Sequence, residues 1–369
     1  MKKCLIVSTV SRQFTLFERG NIEVLKELGY EVHCAANFSD STHEIKELNI
    51  VNHNIDIQRS PFSLKNIKAY KQLKQLIDSE DYRLIHCHSP MGGVLTRLAA
   101  RKKRKRRCLK VIYTAHGFHF YKEAPIINWM LYYPIEKWMS KYTDCLITIN
   151  EEDYKIAKER FKSKKIQLIN GIGVDESKYK YIIDENNKKR LKKDLNIKEK
   201  DFIIIQIGEL NKNKNQIMAI KAMRKIVLND KNVHLLIVGK GKMLNQYERI
   251  IKKYKLNNNV HLLGFRNDIS DLLKISNILL SLSFREGLPV NVIEGMMTNI
   301  PIIATNCRGN RDLIENGKNG YIIDKKIDEL IERIEFLKNN KITVFNNDII
   351  EKYTKKNIKN KMKRIYQEI

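Results

Sequence analysis

Short apolar runs alternate with stretches of helical spacing along most of the chain. Cys4 to Thr9 reads as a buried strand. Phe17 to Leu28 carries Phe17, Val24, Leu25 and Leu28 at helical spacing, and Gly29 is a fitting C-terminal stop. Glu31 to Ala36 is a second strand. The rhythm continues through helix Ile67 to Ile77, strand Arg83 to Cys87, helix Gly92 to Ala100 and strand Val111 to Thr114. Helix Ile126 to Met139 and strand Cys145 to Ile149 follow. Such alternation predicts an α/β fold whose parallel sheet is covered on both faces.

The rhythm then lapses. Glu176 to Glu199 is strongly charged and includes Lys188-Lys189-Arg190 and Lys192-Lys193. It resumes with strand Phe202 to Ile207, helix Gln216 to Leu228, strand His234 to Val238 and helix Leu244 to Tyr254. Strand Val260 to Leu263, helix Ile269 to Ile275, strands Ile278 to Leu282 and Ile302 to Thr305, and strand Gly320 to Ile323 complete the run. A chain of 369 residues is long for one core. The pattern therefore predicts two doubly wound, Rossmann-like domains, 1–180 and 181–350, facing across a cleft, with a hinge between 170 and 200. A basic helix over 351–369 ends the chain; the pattern does not fix its position, and packing back on the first domain is one option. Ligands of doubly wound sheets bind beyond the carboxyl ends of strands. The candidate loops are then Ser8 to Phe14, His86 to Gly93, His116 to Phe120, Gly208 to Asn215, Gly239 to Lys242 and Phe284 to Val290.

Composition adds a compartment and a charge. With 43% apolar residues and 6 prolines, the chain has material for two cores and no disordered composition. The formal net charge of +27 points to a polyanionic partner, although abundant Lys, Asn and Ile also reflect compositional bias. The six cysteines form no C-x-x-C pair. Cys4, Cys34, Cys87 and Cys145 lie in or beside apolar runs as small hydrophobes, which suits a reducing, cytoplasmic setting. Cys4 to Val10 ends in Ser11-Arg12-Gln13 and reads as a strand, not a signal peptide. No run approaches a transmembrane length, so any membrane role is expected at the surface.

The richest chemistry lies in Ser283 to Arg308. Glu286 and Glu294 are eight positions apart, with the Gly287-Leu288-Pro289 corner after the first and a short helix carrying the second. A loop acid, a tight turn and a helix acid suit a polyhydroxylated, phosphorylated ligand. The Gly208 to Asn215 loop follows a strand, opens a helix and holds Lys212 and Lys214. It reads equally as a phosphate site or as a solvated Lys/Asn loop. Gly239-Lys240-Gly241 repeats the theme weakly, and neither loop is a Walker motif. His116, beyond a strand end and followed by Gly117, is either an active-site contact or structural.

His86-Cys87-His88 has the look of a metal pair. Strand alternation is expected to turn its members to opposite faces, and no acidic or cysteine partner lies at zinc spacing, so no metal is expected. Arg101–Arg107, RKKRKRR, reads as a solvated helix end or, given its charge density, as a polyanion contact. The neighbouring stripe Ile126 to Tyr133 with Trp138 reads as core or as an aromatic–basic surface for anionic lipid.

Taken together these segments resemble glycosyltransferase family 4, the retaining nucleotide-sugar transferases of GT-B architecture. Glu286-Gly287-Leu288-Pro289 through Glu294 resembles the family's E-x7-E motif. Pro301 to Ile314, Asn316 to Tyr321, the Gly208 loop, the Val238-Gly239 turn and Gly264 to Asp268 are similar to the same domain in order. Thr114 to Pro125, His88 to Ala100 and Tyr142 to Tyr154 resemble a branch found in bacterial exopolysaccharide and capsule clusters.

The resemblance implies roles. Glu294 binds the ribose of the donor. Glu286 and the backbone amides from Gly287 through Leu288 and Pro289 to Val290 hold sugar and phosphate. Lys214, near Gly208 and Gly239, binds the diphosphate; His116 lies beside the donor sugar; Arg266, with Phe265, flanks the base. Catalysis falls to His116, Glu286 and Lys214, with front-face attack and no covalent carboxylate. No metal or other cofactor is required, because cationic side chains and helix dipoles serve instead. The first domain would bind the acceptor and the second the nucleotide sugar.

One residue departs: Glu209 stands where many members carry Arg, which leaves more of the diphosphate role to Lys214 and Lys212. The first loop also lacks the paired glycines common in the family. The implied activity is transfer of a hexose or N-acetylhexosamine from a UDP-sugar to a polyprenyl-diphosphate-linked glycan. The implied location is the cytoplasmic face of the cell membrane, held by Arg101–Arg107. A nucleotide-sugar epimerase on the same fold is the alternative. A nucleic-acid-binding protein is disfavoured because no reader motif is present, and no nucleic-acid partner is expected.

Overall fold

A computed structural model describes residues 1–39, 43–106, 108–340, 342, 344 and 346–369. Its contacts divide the chain into two compact units, residues 1–173 with 355–369, and residues 174–354.

The first unit is built on a seven-stranded parallel sheet. Its strands are β1 (Lys2–Val10), β2 (Tyr30–Asn37), β3 (Val51–Asn54), β4 (Tyr82–His88), β5 (Lys110–Ala115), β6 (Cys145–Thr148) and β7 (Lys165–Leu168). Their spatial order is β3-β2-β1-β4-β5-β6-β7. The continuous apolar runs follow from burial on both faces. Leu5, Val7, Ile85, Val111 and Leu146 pack on one side, under helices Lys65–Ser79 and Pro90–Lys105. Cys4, Ile6, Leu84, Ile112 and Ile147 pack on the other, under Arg19–Glu27 and the chain-terminal helix Lys355–Glu368. That last helix lays Ile358, Met362 and Ile365 on this core and pairs Lys359 with Glu23 and Lys363 with Glu27.

The second unit has a six-stranded parallel sheet. Its strands are β8 (Phe202–Ile207), β9 (Val233–Val238), β10 (Val260–Gly264), β11 (Ile278–Ser281), β12 (Ile302–Thr305) and β13 (Gly320–Ile323). The order is β10-β9-β8-β11-β12-β13. Ile203 and Ile205 of β8 face one core and Ile204 the other, as a period of two requires.

Each sheet therefore reverses its winding once, between β1 and β4 and between β8 and β11. All six loops picked out by the strand pattern leave the carboxyl ends of strands, and four of them flank these two reversals.

Several elements depart from the pattern, among them edge strand β7, which no long apolar run marks. The helix expected over Phe17 to Leu28 runs over Arg19–Glu27, and a separate short helix, Arg12–Leu16, precedes it. Phe17 is left 40% exposed while Glu18, at 1%, turns inward between them. β3 is an edge strand whose Val-Asn-His-Asn lacks the apolar run of a buried strand. Helix Ile327–Asn339, which seats Leu330 and Ile334 on the second core, is absent from the strand–helix pattern read above.

Among the described residues no helix is long and apolar enough to cross a membrane.

Candidate active site

The second unit's reversal point gathers residues from three loops. Beyond β8, Asn215 takes a left-handed conformation (φ 54°) just before helix Gln216–Asn229, which ends the loop and turns Lys214 back over it. Asn211 Oδ1 accepts from the Lys214 amide at 2.9 Å, and Gln206 Nε2 donates to the Lys214 carbonyl at 2.8 Å. The Lys214 side chain lies against Gly208, where an added Cβ would be 3.2 Å from Lys214 Cδ and Cε. Beyond β11, the Phe284 amide donates to the Asn213 carbonyl and Asn213 Nδ2 to the Arg285 carbonyl, so the two loops are tied together. The result is an ion pair: Lys214 Nζ lies 2.6 Å from Glu286 Oε1, with the side chains 23% and 13% exposed. The cation and the acid expected to serve a ligand separately neutralise each other here.

Close backbone packing holds these loops. A Cβ on Gly239 would lie 2.0 Å from the Gly208 carbonyl oxygen. Gly309 meets the Gly287-Leu288-Pro289 corner in the same way, its Cβ position being 2.7 Å from the Gly287 oxygen. Below the corner, buried Asn310 donates to the carbonyls of Ser281 and Thr305, and Thr305 Oγ1 donates to the Ser283 carbonyl at 2.6 Å. These bonds brace the ends of β11 and β12 beneath Glu286, satisfying groups that burial would otherwise penalise.

Two residues here escaped sequence reasoning. Arg308 is 4% exposed and its Nε donates to the Glu286 carbonyl at 3.2 Å. It stood inside a motif, and its position between two motif elements was the available signal. Tyr179 donates to Glu294 Oε1 at 2.6 Å. It lies in the charged stretch after 176, and nothing in the sequence links it to residue 294. Glu294 projects from helix Val290–Met297, right after the corner. Burial lifts its carboxyl above the ordinary glutamate range, against the opposing pull of the Tyr179 hydrogen bond and of Lys178. Of the remaining expected residues, Phe265 is 67% exposed and Arg266 is held by Asp268, its Nε donating at 2.8 Å. Glu209 and Lys212 are exposed, and the Glu209 carbonyl accepts from Gln216 Nε2.

His116 belongs to the first unit and heads a different cluster. His88 Nδ1 lies 3.2 Å from His116 Nε2 and 3.2 Å from Glu18 Oε1. Gln13 Nε2 reaches both Glu18 Oε1 (3.3 Å) and His116 Nε2 (3.4 Å), and Asn21 donates to Glu18 Oε2 at 2.6 Å. Burial lowers the pKa of His86, His88 and His116.

The expectation for His86 and His88 needs correcting. Residues two apart on a strand share a face, and the two rings are 4.1 Å apart with Cys87 turned to the opposite core. An acidic partner is also present, brought by Glu18 from 70 positions away in sequence.

Beside this cluster the first unit opens a hollow of about 580 Å³, lined by Val10, Met91, Phe118, Leu131 and Ile135. Glu136 lies at its wall, bound by the buried Arg97 guanidinium at 2.8 Å and by the Tyr113 hydroxyl at 3.2 Å.

The basic run is divided in its duties. Helix Pro90–Lys105 contains most of it. Lys103 caps the carbonyls of Asp78 and Glu80, and Arg104 grips Asp144 at 2.8 Å. Arg101, Lys102, Lys105 and Arg106 are exposed, and Arg107 lies outside the described residues. The aromatic stripe is divided too: Trp129 and Tyr133 pack against Phe120, while Ile126, Met130 and Trp138 are 77%, 67% and 45% exposed.

Comparison with known proteins settles the family. Residues 3–150 match the model of "Glycosyl transferase 4-like" proteins and residues 187–360 that of "Glycosyl transferases group 1". The chain is 43% identical to the putative glycosyltransferase EpsD of Bacillus subtilis over 87% of this chain and 83% of that protein. It is 31% identical to an Escherichia coli UDP-Gal:alpha-D-GlcNAc-diphosphoundecaprenol alpha-1,3-galactosyltransferase, over 76% of this chain and 72% of that one. The crystal structure of Anabaena HepE in complex with UDP-glucose matches the fold with a TM-score of 0.80 at 17% identity, covering 100% of both chains. With two family models matched in tandem and such identity over most of both lengths, the chain belongs to the family 4 glycosyltransferases of GT-B architecture.

Proposed function

We propose that this chain transfers a hexose or N-acetylhexosamine, with retention, from a UDP-sugar to a polyprenyl-diphosphate-linked glycan in surface polysaccharide synthesis. The observation that carries this reading is the Lys214–Glu286 pair, held by three braced loops at the β8/β11 reversal. A bound diphosphate sugar exchanges partners with that pair. Lys214 moves to the diphosphate and neutralises the charge that grows as the anomeric C–O bond breaks and UDP leaves. Glu286, released, accepts from sugar hydroxyls. Free amides of the corner and the start of helix Val290–Met297 face the phosphate, and the Glu294 carboxylate takes the ribose hydroxyls. The acceptor hydroxyl attacks on the face that UDP leaves, and its proton passes to the departing β-phosphate oxygen as the new C–O bond forms. No carboxylate nucleophile and no metal at the diphosphate are needed.

The Anabaena complex with UDP-glucose supports the donor class, and the diphosphoundecaprenol substrate of the Escherichia coli relative supports the acceptor class. The 174–354 unit is the donor domain in this reading and the other unit the acceptor domain, where the apolar hollow suits a lipid-linked molecule. The exposed Arg101, Lys102, Lys105 and Arg106, with the bare apolar side of helix Ile126–Met139, suit an anionic membrane surface on the cytoplasmic side.

The test is a panel of UDP- and GDP-sugars screened for protection against thermal unfolding, since ligands of the native state raise the midpoint. A radiolabelled transfer assay to a lipid-linked acceptor then follows with the best donor. Protection by a UDP-sugar and labelled lipid product are expected. A converted sugar nucleotide in the absence of acceptor would instead identify an epimerase.

A further inference from the structure

We infer that Glu18, His88 and His116 bind one divalent transition-metal ion, zinc by their donor set, within the first unit. One ligand atom from each residue lies within 4.8 Å of the other two. The two closest separations, Glu18 Oε1 to His88 Nδ1 and His88 Nδ1 to His116 Nε2, are each 3.2 Å. Zinc bonds of about 2.0–2.1 Å in tetrahedral array set neighbouring ligand atoms roughly 3.4 Å apart. Two of the three separations already have nearly that spacing, and Glu18 and His116 draw together as an ion enters.

Charge points the same way. Glu18 and His88 are each 1% exposed. Among the described residues, the partners of the Glu18 carboxylate are the amides of Gln13 and Asn21 and the His88 ring, with no lysine or arginine. A carboxylate withdrawn from water without a cation is strongly disfavoured. Hydrogen bonding alone also serves the cluster poorly: His88 Nδ1 faces both Glu18 and His116 and carries at most one proton. A divalent ion resolves both defects, taking one lone pair from each group and supplying the missing positive charge.

Room for a further ligand is present. A cavity of about 30 Å³ adjoins the three residues and is also lined by Asn21 and Thr114. That leaves room for a water molecule at a fourth coordination position. Glu18 precedes helix Arg19–Glu27, His88 ends β4 and His116 follows β5. The ion would clasp these three segments at the carboxyl edge of the sheet and fix the His116 ring by its Nε2. The three ligands all belong to the first unit, and the site is tested by binding alone.

The experiment uses the full chain, stripped with a chelator and desalted. Zinc is titrated by calorimetry, and Co²⁺ is added as a spectroscopic probe. One equivalent of zinc is expected to bind, to displace Co²⁺ with loss of its visible bands, and to raise the melting midpoint. Glu18→Gln and His88→Gln should each weaken zinc binding by about 100-fold or more, since even supporting residues of metal sites cost about 10–100-fold. His261→Gln, in the histidine pair of the other unit, should leave it unchanged. A wild-type chain that takes up no zinc at micromolar concentrations overturns the proposal and leaves a hydrogen-bonded cluster. So does uptake that survives both substitutions, which would place the ion on surface histidines. The wild-type titration decides the matter even if a variant fails to fold.

Discussion

Beyond β8 and β11 the polar groups are ions left partly open to solvent. In the first unit, by contrast, the Glu18 carboxylate after β1 and the His88 imidazole at the end of β4 are sealed from it, with His116 after β5 only partly covered. Lys214 and Glu286 are 23% and 13% exposed, while Glu18 and His88 are 1% exposed. The two sheets share a winding rule, so topology explains why both clusters sit beyond strand ends. It does not explain their chemistry. An accessible ion pair can trade its partner for a charged ligand and take it back on release. A sealed cluster has no such exchange and suits an occupant that stays.

The exchange idea breaks first at Lys214. Lys214→Ala removes the cation and leaves Glu286 facing the diphosphate as an unpaired anion. Transfer should fall by roughly 10²-fold or more, the cost typical of losing one electrostatic contact to a developing charge. Glu294→Ala should cost about as much, with a larger share in donor KM, because ribose is held in ground and transition states alike. Steady-state kinetics with the best donor separates the two. Unchanged transfer in both variants would end the proposed division of roles.

The bracing of the open site can be tested without touching a charge. In Gly309→Ala the new methyl meets the Gly287 oxygen at 2.7 Å and the Pro289 ring at 3.0 Å, so the corner must shift. We expect roughly a tenfold loss in kcat/KM, since small misplacements of a site are costly. Circular dichroism should stay native. A companion change, Asn310→Ala, leaves the Ser281 and Thr305 carbonyls short of a donor and should cost about 1–3 kcal/mol in denaturant unfolding.

How legible each cluster was in the sequence follows from the same contrast. In the second unit, Glu286, the Gly287 corner and Glu294 lie within nine consecutive residues, so local spacing exposes them. Their partners do not: Tyr179 reaches Glu294 across 115 positions, and Lys214 reaches Glu286 across 72. Lys214 was identified by family position, and its pairing with Glu286 came only from the fold. In the first unit, Glu18 lies at the start of the helix expected over Phe17 to Leu28, which begins instead at Arg19. Its carboxylate turns inward to His88, a tertiary contact that periodicity does not contain. Most strands were readable, because buried parallel strands are continuous apolar runs. The two edge strands of the first sheet, β3 (Val-Asn-His-Asn) and β7 (Lys-Ile-Gln-Leu), lack such a run and were not.

A finer probe is pH. Donor binding needs Glu294 as a carboxylate, and burial raises its pKa, so affinity should decline on acidification sooner than for an ordinary glutamate. Tyr179→Phe removes the hydrogen bond that opposes this rise. The acidic limb of donor Kd should therefore move to higher pH, with affinity at neutral pH weaker by about threefold to tenfold, as for loss of a bond to a charged group. Glu294→Gln, which cannot ionise, should flatten that limb. An acidic limb that stays put in Tyr179→Phe would mean that the tyrosine does not tune the acid.

The smallest effect should come from Glu209, the acid that stands where the family resemblance leads us to expect Arg. Its side chain is exposed, in the loop that also carries Lys214. An exposed charge acts through solvent at high dielectric and is screened by salt, so its influence on a bound diphosphate is modest. Glu209→Arg should tighten donor binding by no more than about fivefold, corresponding to about 1 kcal/mol, and added salt should erase most of the gain. The same substitution should leave zinc uptake in the other unit untouched. A gain much above tenfold would mean that the loop closes over the donor and removes Glu209 from solvent. The open site would then become sealed on binding, and the contrast between the two clusters would hold only for the free chain.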